Sequence, residues 1–362
     1  MGWILVNDFS KEITLSDIAR YLKNLLPAEI PADYSIKPMF TSIQSEEAIR
    51  NGIPALKDFM GLFYDLLIED SKKYEKPKSI NNKASRSPSL AVDFPFIYHT
   101  KSALLNIGYH SILNGDVLTF SGLKTLMPII CCEGMEATTK ISAPKLMDCL
   151  RFFNQCGMYF EGIDLDAEKP YLTSERLVEV TYPDNPAVLI GLKVMSVAQR
   201  DLTWKTNDEI FLRCDYNALT SNKADTACVL KDFVRPLSSE TQECILHMHQ
   251  KSSEAGLNCM IKIGLKNSII YMHKKNVVWE LSSSFANGYR IFVKAASRLR
   301  HNKTAAISPV LLEIIDNGCG CESKRLCKPC EKGCRGFYIP LNDSGLNINK
   351  DIAEWVCSAL SC

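Results

Sequence analysis

Apolar side chains recur at helical spacing through residues 1–70. The segment from Thr14 to Asp17 resembles a capping box, with aspartate in place of glutamate, and marks the start of a first helix. Pro54 stands where we expect a second helix to begin, because proline is favoured at the first helical position. The pattern therefore predicts a mainly helical part over residues 1–70.

Residues 71–90 have little apolar content and hold six Lys or Arg residues and two prolines. This composition is typical of a solvated loop or linker. A basic arm for nucleic acid is the alternative interpretation. It is disfavoured because the only aromatic side chain among these charges is Tyr74.

Residues 91–235 alternate between helical and strand-like patterns. A short helix is expected to stop at Gly108. Asn114 and Gly115 then separate two apolar pairs, which predicts a hairpin with a type I′ turn, since both turn residues must take positive φ.

Farther along this middle region, Ser142 is the expected cap of a helix that ends at Gly157, and residues 177–180 predict a strand. Helices followed by paired strands are the ingredients of a winged helix. The predicted helices, however, show no Arg, Lys, Asn or Gln face of the kind that reads DNA. Asp164, Asp166 and Glu168 could form an acidic metal site, but their alternation fits a surface loop better, since no glycine-containing twelve-residue calcium loop surrounds them.

The clearest strand pattern lies in residues 236–362. After a helix that ends at Ala255-Gly256, four short strand-like runs are separated by turn residues, at 259–263, 268–273, 277–281 and 289–293. Such short strands and connections predict an antiparallel meander. A last strand over 337–340 and a closing helix follow.

Composition narrows the class of protein. The chain has 362 residues, a formal net charge of +1, 46% hydrophobic residues and 23% charged residues. These values are ordinary for globular proteins of two or three domains. No run approaches the roughly 18 apolar residues that span a bilayer, and the N-terminus lacks the basic start of a signal peptide. We therefore expect a cytoplasmic protein with no membrane partner, for which nucleic acid is a less favoured partner than a small molecule or a protein.

The chain contains 15 cysteines, and five of them lie close together. Most of the others are scattered and are expected to pack as small hydrophobes in a reducing compartment. The cluster spans residues 319–334 and consists of Cys319, Cys321, Cys327, Cys330 and Cys334.

The spacing of this cluster suggests a metal. Cys327 and Cys330 form a C-x2-C pair, and Cys334 or the Cys319/Cys321 pair could complete the four ligands of a structural zinc ion. An iron–sulfur cluster also needs four cysteines, but the spacing matches no ferredoxin run. Neighbouring lysines and arginines would favour thiolates, so a reactive thiol site stays open as well. A loop of basic residues whose cysteines bind no ligand is also an open alternative.

Four aromatic residues of the predicted meander, Tyr271, Trp279, Tyr289 and Phe292, could bound an apolar pocket for a small molecule or a protein segment. Ordinary core packing is the competing interpretation of the same four side chains.

The C-terminal third resembles a known family. A helix, an antiparallel sheet, the segment Gly336-Phe-Tyr-Ile-Pro-Leu341 and a closing helix resemble the small α+β domains of the bacterial YdhG-type, iron-chaperone-like family. The resemblance implies that fold over about residues 236–360, with the cysteine cluster as an insertion. The whole chain also resembles uncharacterised proteins of clostridial bacteria. Neither resemblance assigns functional residues.

Together these patterns predict an α+β protein with four parts: a helical part at 1–70, a linker at 71–90, a middle α+β region at 91–235 and an antiparallel-sheet domain at 236–362. The first functional hypothesis is a non-catalytic binding protein with a structural zinc site. The alternatives are a metal- or thiol-dependent enzyme that uses the cysteine cluster, and a DNA-binding transcriptional regulator whose C-terminal domain is a sensor.

Overall fold

The computed structural model of the chain describes residues 14–27, 34–75, 93–129, 140–167, 176–201, 208–220, 226–262, 267–284, 288–293, 337–341 and 353–354. It divides the chain into two compact units, which we call the N-terminal unit (Ile13–Ala224) and the C-terminal unit (from Asp225 onward). The α+β class predicted from the sequence is confirmed, since both units combine helices with an antiparallel sheet.

The unit boundary does not coincide with the expected boundaries at residues 70 and 235. Helix α3 packs along α7, so residues 1–70 do not form a separate part. The helices of the N-terminal unit are α1 (Leu15–Asn24), α2 (Pro38–Thr41), α3 (Glu46–Glu69), α4 (Ser71–Tyr74), α5 (Pro95–His110), α6 (Ala143–Gln155), α7 (Ala187–Asp201) and α8 (Asp208–Leu212).

Local capping explains where these helices begin. Thr14 and Asp17 form the predicted capping box of α1. The expectation that a helix starts at Pro54 is wrong, because Pro54 lies inside α3. Ser45 caps α3 two turns earlier by accepting a hydrogen bond from the backbone N–H of Ala48 at 3.2 Å.

Glycines allow α7 to lie against two other helices. A Cβ atom on Gly191 would stand 2.2 Å from the carbonyl oxygen of Gly52 in α3. A Cβ atom on Gly108 would stand 2.2 Å from Ser196 Oγ in α7. Gly108 therefore does not end α5, as we had expected. The helix continues to His110, and the glycine permits close packing instead.

The N-terminal unit holds a four-stranded antiparallel sheet in the order β1-β2-β4-β3. Its strands are β1 (Ile112–Asn114), β2 (Val117–Ser121), β3 (Tyr159–Glu161) and β4 (Leu177–Thr181). Helix α5 precedes the sheet, and α6 lies between β2 and β3 in sequence. A winged helix in this region stays a prediction.

The predicted hairpin is present, but its turn differs. β1 pairs with β2 through Asn114 and Val117, so Gly115 and Asp116 are the two loop residues. Gly115 has φ of +58°, and Asp116 is not among the residues with positive φ. The prediction of a type I′ turn on Asn114 and Gly115 is therefore wrong. A two-residue loop with one glycine at its first position is enough for this connection.

The C-terminal unit contains the predicted meander. Five antiparallel strands follow the order β5-β6-β7-β8-β9, and two helices precede them in sequence. The elements are α9 (Thr226–Val234), α10 (Ser239–Glu254), β5 (Asn258–Lys262), β6 (Asn267–His273), β7 (Asn276–Ser284), β8 (Gly288–Val293) and β9 (Phe337–Pro340). Ser238 caps α10, and Gly256 follows its end with φ of +69°, as the predicted end at Ala255-Gly256 requires.

Candidate functional site

The five cysteines predicted to bind zinc, Cys319, Cys321, Cys327, Cys330 and Cys334, lie outside the described residues. They belong to the segment of residues 294–336, which connects β8 to β9. Within the described ranges, no group of three or more His, Cys, Asp or Glu side chains is placed to hold a metal ion. Zinc binding stays a prediction.

The four aromatic residues of the proposed pocket are not brought together on one face. Tyr271, Trp279 and Tyr289 lie in the core of the C-terminal unit, with 1%, 0% and 6% of their surface exposed. Phe292 alternates with the buried residues of β8 and is only partly buried, so it belongs to the opposite face of the sheet. A ligand pocket lined by all four stays a prediction that this arrangement does not favour.

The polar atoms of the three core aromatics are used inside the unit. Trp279 donates from Nε1 to Ser252 Oγ of α10 at 2.9 Å. Tyr289 donates from Oη to the carbonyl oxygen of Phe233 of α9 at 2.5 Å. The ring of Tyr271 stacks on Trp279 with centroids 4.1 Å apart and an angle of 9° between the rings. These contacts fasten the helices to the sheet.

One chain of polar side chains lies at the edge of this core. His249 Nδ1 is 2.8 Å from Tyr271 Oη, and that hydroxyl also hydrogen bonds with the thiol of Cys259. Burial raises the pKa of the Cys259 thiol, although hydrogen bonds from Tyr271 and Thr226 oppose the shift. Burial likewise raises the pKa of the Tyr271 phenol. Both groups are therefore held in their neutral forms, which is unfavourable for a nucleophile.

The buried cysteines of the N-terminal unit are no better placed for chemistry. Burial raises the pKa of Cys156 to about 12, and it raises the pKa values of Cys149 and Cys214 as well. These three thiols are fully buried or nearly so, which confirms the expectation that they pack as small hydrophobes.

The exposed side of α6, the helix between β2 and β3, offers little to a nucleic acid. Lys145 and Asp148 are exposed there. Arg151 is occupied, since its Nη1 donates to Asp148 Oδ1 at 3.2 Å and its Nε donates to the carbonyl oxygen of Leu165 at 2.8 Å. The arginine thus braces the segment after β3 rather than projecting toward a ligand.

The described part of that segment is acidic. Asp164 and Asp166 are exposed in the loop that follows β3, and Glu161 is exposed on β3 itself. Acidic residues also outnumber basic ones over residues 93–201. Negative charge at this position would repel the phosphate backbone of DNA.

Basic side chains of this unit gather instead at the end of α5. Lys193 Nζ donates to the carbonyl oxygens of Tyr109 and Ser111 at 2.9 and 2.6 Å, and the guanidinium of Arg200 lies 3.8 Å from the ring centroid of Tyr109. Lys193 thus satisfies carbonyl oxygens at the end of the helix, and Arg200 packs on the ring of Tyr109. Burial, with Arg200 and Lys193 adding to it, lowers the pKa of His110.

The most exposed large hydrophobic side chains share one surface. The four-stranded sheet buries Leu118, Phe120, Phe160, Val178 and Val180 on its inner face. We call the opposite side the outer sheet face. The strand register assigns to it Ile112, Asn114, Val117, Thr119, Ser121, Tyr159, Glu161, Leu177, Glu179 and Thr181.

Ile112, Tyr159 and Leu177 are 66%, 52% and 56% exposed on this face. They come from three different strands, β1, β3 and β4. The sequence analysis did not identify these three residues. The signal for them is that, in each strand, an apolar side chain occupies a position that the alternation of buried and exposed residues assigns to solvent. The combination of exposed apolar and acidic side chains makes the outer sheet face the candidate functional site.

Comparison with known proteins gives no independent guide to function. No protein-family model, no curated protein and no solved structure matches the chain. The resemblance of residues 236–360 to YdhG-type domains stays a prediction. Among the described helices, none is both long and apolar enough to cross a membrane.

Proposed function

We propose that the chain is a cytoplasmic, non-catalytic binding protein whose outer sheet face takes up a segment of a protein partner, and whose C-terminal cysteines hold a structural zinc ion. The observation that carries the proposal is the exposure of Ile112, Tyr159 and Leu177 on one sheet face. Single exposed hydrophobic residues are common, but these three share one sheet face, with polar side chains of that face between them, and exposed apolar surface gathered on one side is typical of interaction sites.

Covering these side chains would supply part of the free energy that binding needs. Fully burying a side chain such as leucine or isoleucine contributes about 1.5–3 kcal/mol. Since each of the three is about half exposed, a partner would gain on the order of 1 kcal/mol from each.

The non-catalytic part of the proposal rests on the described cysteines and histidines. The pKa values of the buried thiols are raised, so these groups stay protonated near neutral pH. Burial also lowers the pKa values of His99 and His110, and the neighbouring charges that add to these shifts are cationic, from Lys145 beside His99 and from Arg200 and Lys193 beside His110. Neither class of group has the activated neighbourhood that nucleophilic catalysis requires.

The position of the cysteine cluster supports a structural zinc ion. Strands β8 and β9 pair directly, with Val293 opposite Phe337, although residues 294–336 separate them in sequence. Closing such a long connection has an entropic cost, and a metal ion that cross-links the connection reduces it. A zinc ion within residues 319–334 would therefore help to hold the last strand of the sheet in place.

The protein-binding role can be tested with a random peptide library displayed on phage and selected against the full chain. We expect selected peptides to lose about tenfold or more in affinity for an Ile112→Ser/Leu177→Ser variant. A Met39→Ser/Leu62→Ser variant is the matched control, since both residues are 41% exposed and lie on helices. Equal affinity for both double variants would contradict the proposal.

The alternative of a DNA-binding regulator makes the opposite prediction. Binding to duplex DNA by phosphate contacts falls steeply with salt concentration. Because the described segment after β3 is acidic and Arg151 is occupied, we expect no salt-dependent duplex binding near 0.1 M salt. Strong binding at low salt, lost in a Lys145→Ala variant, would favour the regulator instead.

A further inference from the structure

Two glutamates lie directly opposite each other on the outer sheet face. Glu161 of β3 is the cross-strand partner of Glu179 of β4, and Glu179 is in turn opposite Thr119 of β2. Ile112 of β1 completes the row. The register thus makes the two glutamates neighbours at one end of a row whose other end is the strongly exposed Ile112.

This pairing is unfavourable in the isolated chain. Like charges directly opposite on neighbouring strands repel each other. Among the described residues, neither glutamate takes part in an ion pair. None of the residues that form the outer sheet face is a lysine, arginine or histidine. A cation that reached the pair from outside would relieve the repulsion.

We propose that the partner of the outer sheet face is a protein segment that places a lysine or arginine against Glu161 and Glu179, and apolar side chains against Ile112, Leu177 and Tyr159. The inference rests on the proposed protein-binding function and adds the chemistry of the partner. An arginine is well suited to this position, because its planar guanidinium can bridge two carboxylates.

Charge decides against the other occupants of this surface. A second copy that stacked the same face would bring two more glutamates and no basic residue to the interface. Nucleic acid and an anionic membrane surface would both meet the glutamate pair with negative charge. A cationic segment of a different protein is the occupant that the charges favour.

The glutamates have one competing explanation, which concerns the isolated chain. β3 is an edge strand, and charge on an edge strand discourages pairing with another molecule. If that were their only role, neutralising them would promote self-association and would leave the choice of partner unchanged.

Selection from the displayed peptide library distinguishes these roles. We expect peptides selected on the wild-type chain to be enriched in Lys and Arg over Asp and Glu. We expect them to bind a Glu161→Gln/Glu179→Gln variant roughly threefold or more weakly, with the difference shrinking at high salt. A Glu47→Gln/Glu243→Gln variant is the control, because it removes the same charge from exposed helical positions.

The outcomes separate this inference from the function on which it rests. Neutral or acidic peptides that bind through Ile112 and Leu177 would overturn the cationic partner and leave protein binding intact. Peptides whose binding ignores Ile112 and Leu177 would overturn both. Unchanged peptide affinity in the Glu161→Gln/Glu179→Gln variant, together with its self-association by analytical ultracentrifugation, would show that the glutamates only guard the edge.

Discussion

The contact between α3 and α7 makes a sharp prediction about stability. In a Gly191→Ala variant the new Cβ atom would lie 2.2 Å from the carbonyl oxygen of Gly52 and 2.8 Å from Leu56 Cβ. The nearest atom belongs to the backbone of another helix, so the helices must move apart. Overpacking of this kind destabilises a protein by about 1–3 kcal/mol or more, whereas the better helix propensity of alanine recovers about 1 kcal/mol. We therefore expect a net loss of up to about 2 kcal/mol, and a stability about 1–3 kcal/mol below that expected from propensity alone.

Gly61 of α3 supplies the matched control. A Cβ atom there would have no neighbour within 4 Å, so only the propensity effect should appear. We expect Gly61→Ala to stabilise the N-terminal unit by roughly 0.5–1 kcal/mol. Urea unfolding followed by circular dichroism measures both variants, with the midpoints compared at a shared slope. A Gly191→Ala variant that unfolds at the same urea concentration as Gly61→Ala would refute the close approach of the two helices.

Three further predictions concern other parts of the chain. Ser252→Ala should destabilise the C-terminal unit by about 1–3 kcal/mol, because it leaves the buried indole N–H of Trp279 without its acceptor. An unfolding midpoint equal to that of the wild type would contradict this role of Ser252. The pKa of His110 is lowered in the fold, so the unfolded chain binds more protons below about pH 6.5 and stability should fall with acidification through that range. A His110→Gln variant should lose less stability than the wild type between pH 7.5 and pH 5.5. Parallel curves of stability against pH for the two proteins would exclude His110 as a cause. Protein purified without oxygen should carry about one zinc ion per chain, and the Cys327→Ser and Cys330→Ser variants should lose both the zinc and folded stability. Loss of the metal with the fold intact would favour a functional site. Wild-type protein without metal would refute zinc binding.

Much of the fold could be predicted because local signals and tertiary packing agree. Three of the correctly predicted features depend only on near neighbours in sequence: the capping box at Thr14, the presence of a glycine in the loop of the first hairpin, and the regular spacing of the C-terminal strands. Pro54 and Gly108 misled us because each residue type usually marks a helix end. Here both lie inside helices that long-range packing stabilises, and Gly108 is required by the approach of α7.

The candidate site could not be predicted in the same way. Glu161 and Glu179 are 18 positions apart in sequence, and only the pairing of β3 with β4 makes them neighbours. The exposure of Ile112 depends on which face of the sheet the helices cover. Conversely, the aromatics of the meander looked like a pocket because composition does not reveal that α10 supplies the hydrogen-bond acceptor for Trp279.

The central claim is that the outer sheet face binds a protein segment, and methyl NMR spectroscopy tests it most directly. A peptide selected from the library would be titrated into the full chain with labelled isoleucine and leucine methyl groups. The account predicts that the resonances of Ile112 and Leu177 shift with the peptide, while that of Leu62, which is also exposed but lies on α3, does not. Shifts at Leu62 without shifts at Ile112 and Leu177 would contradict it.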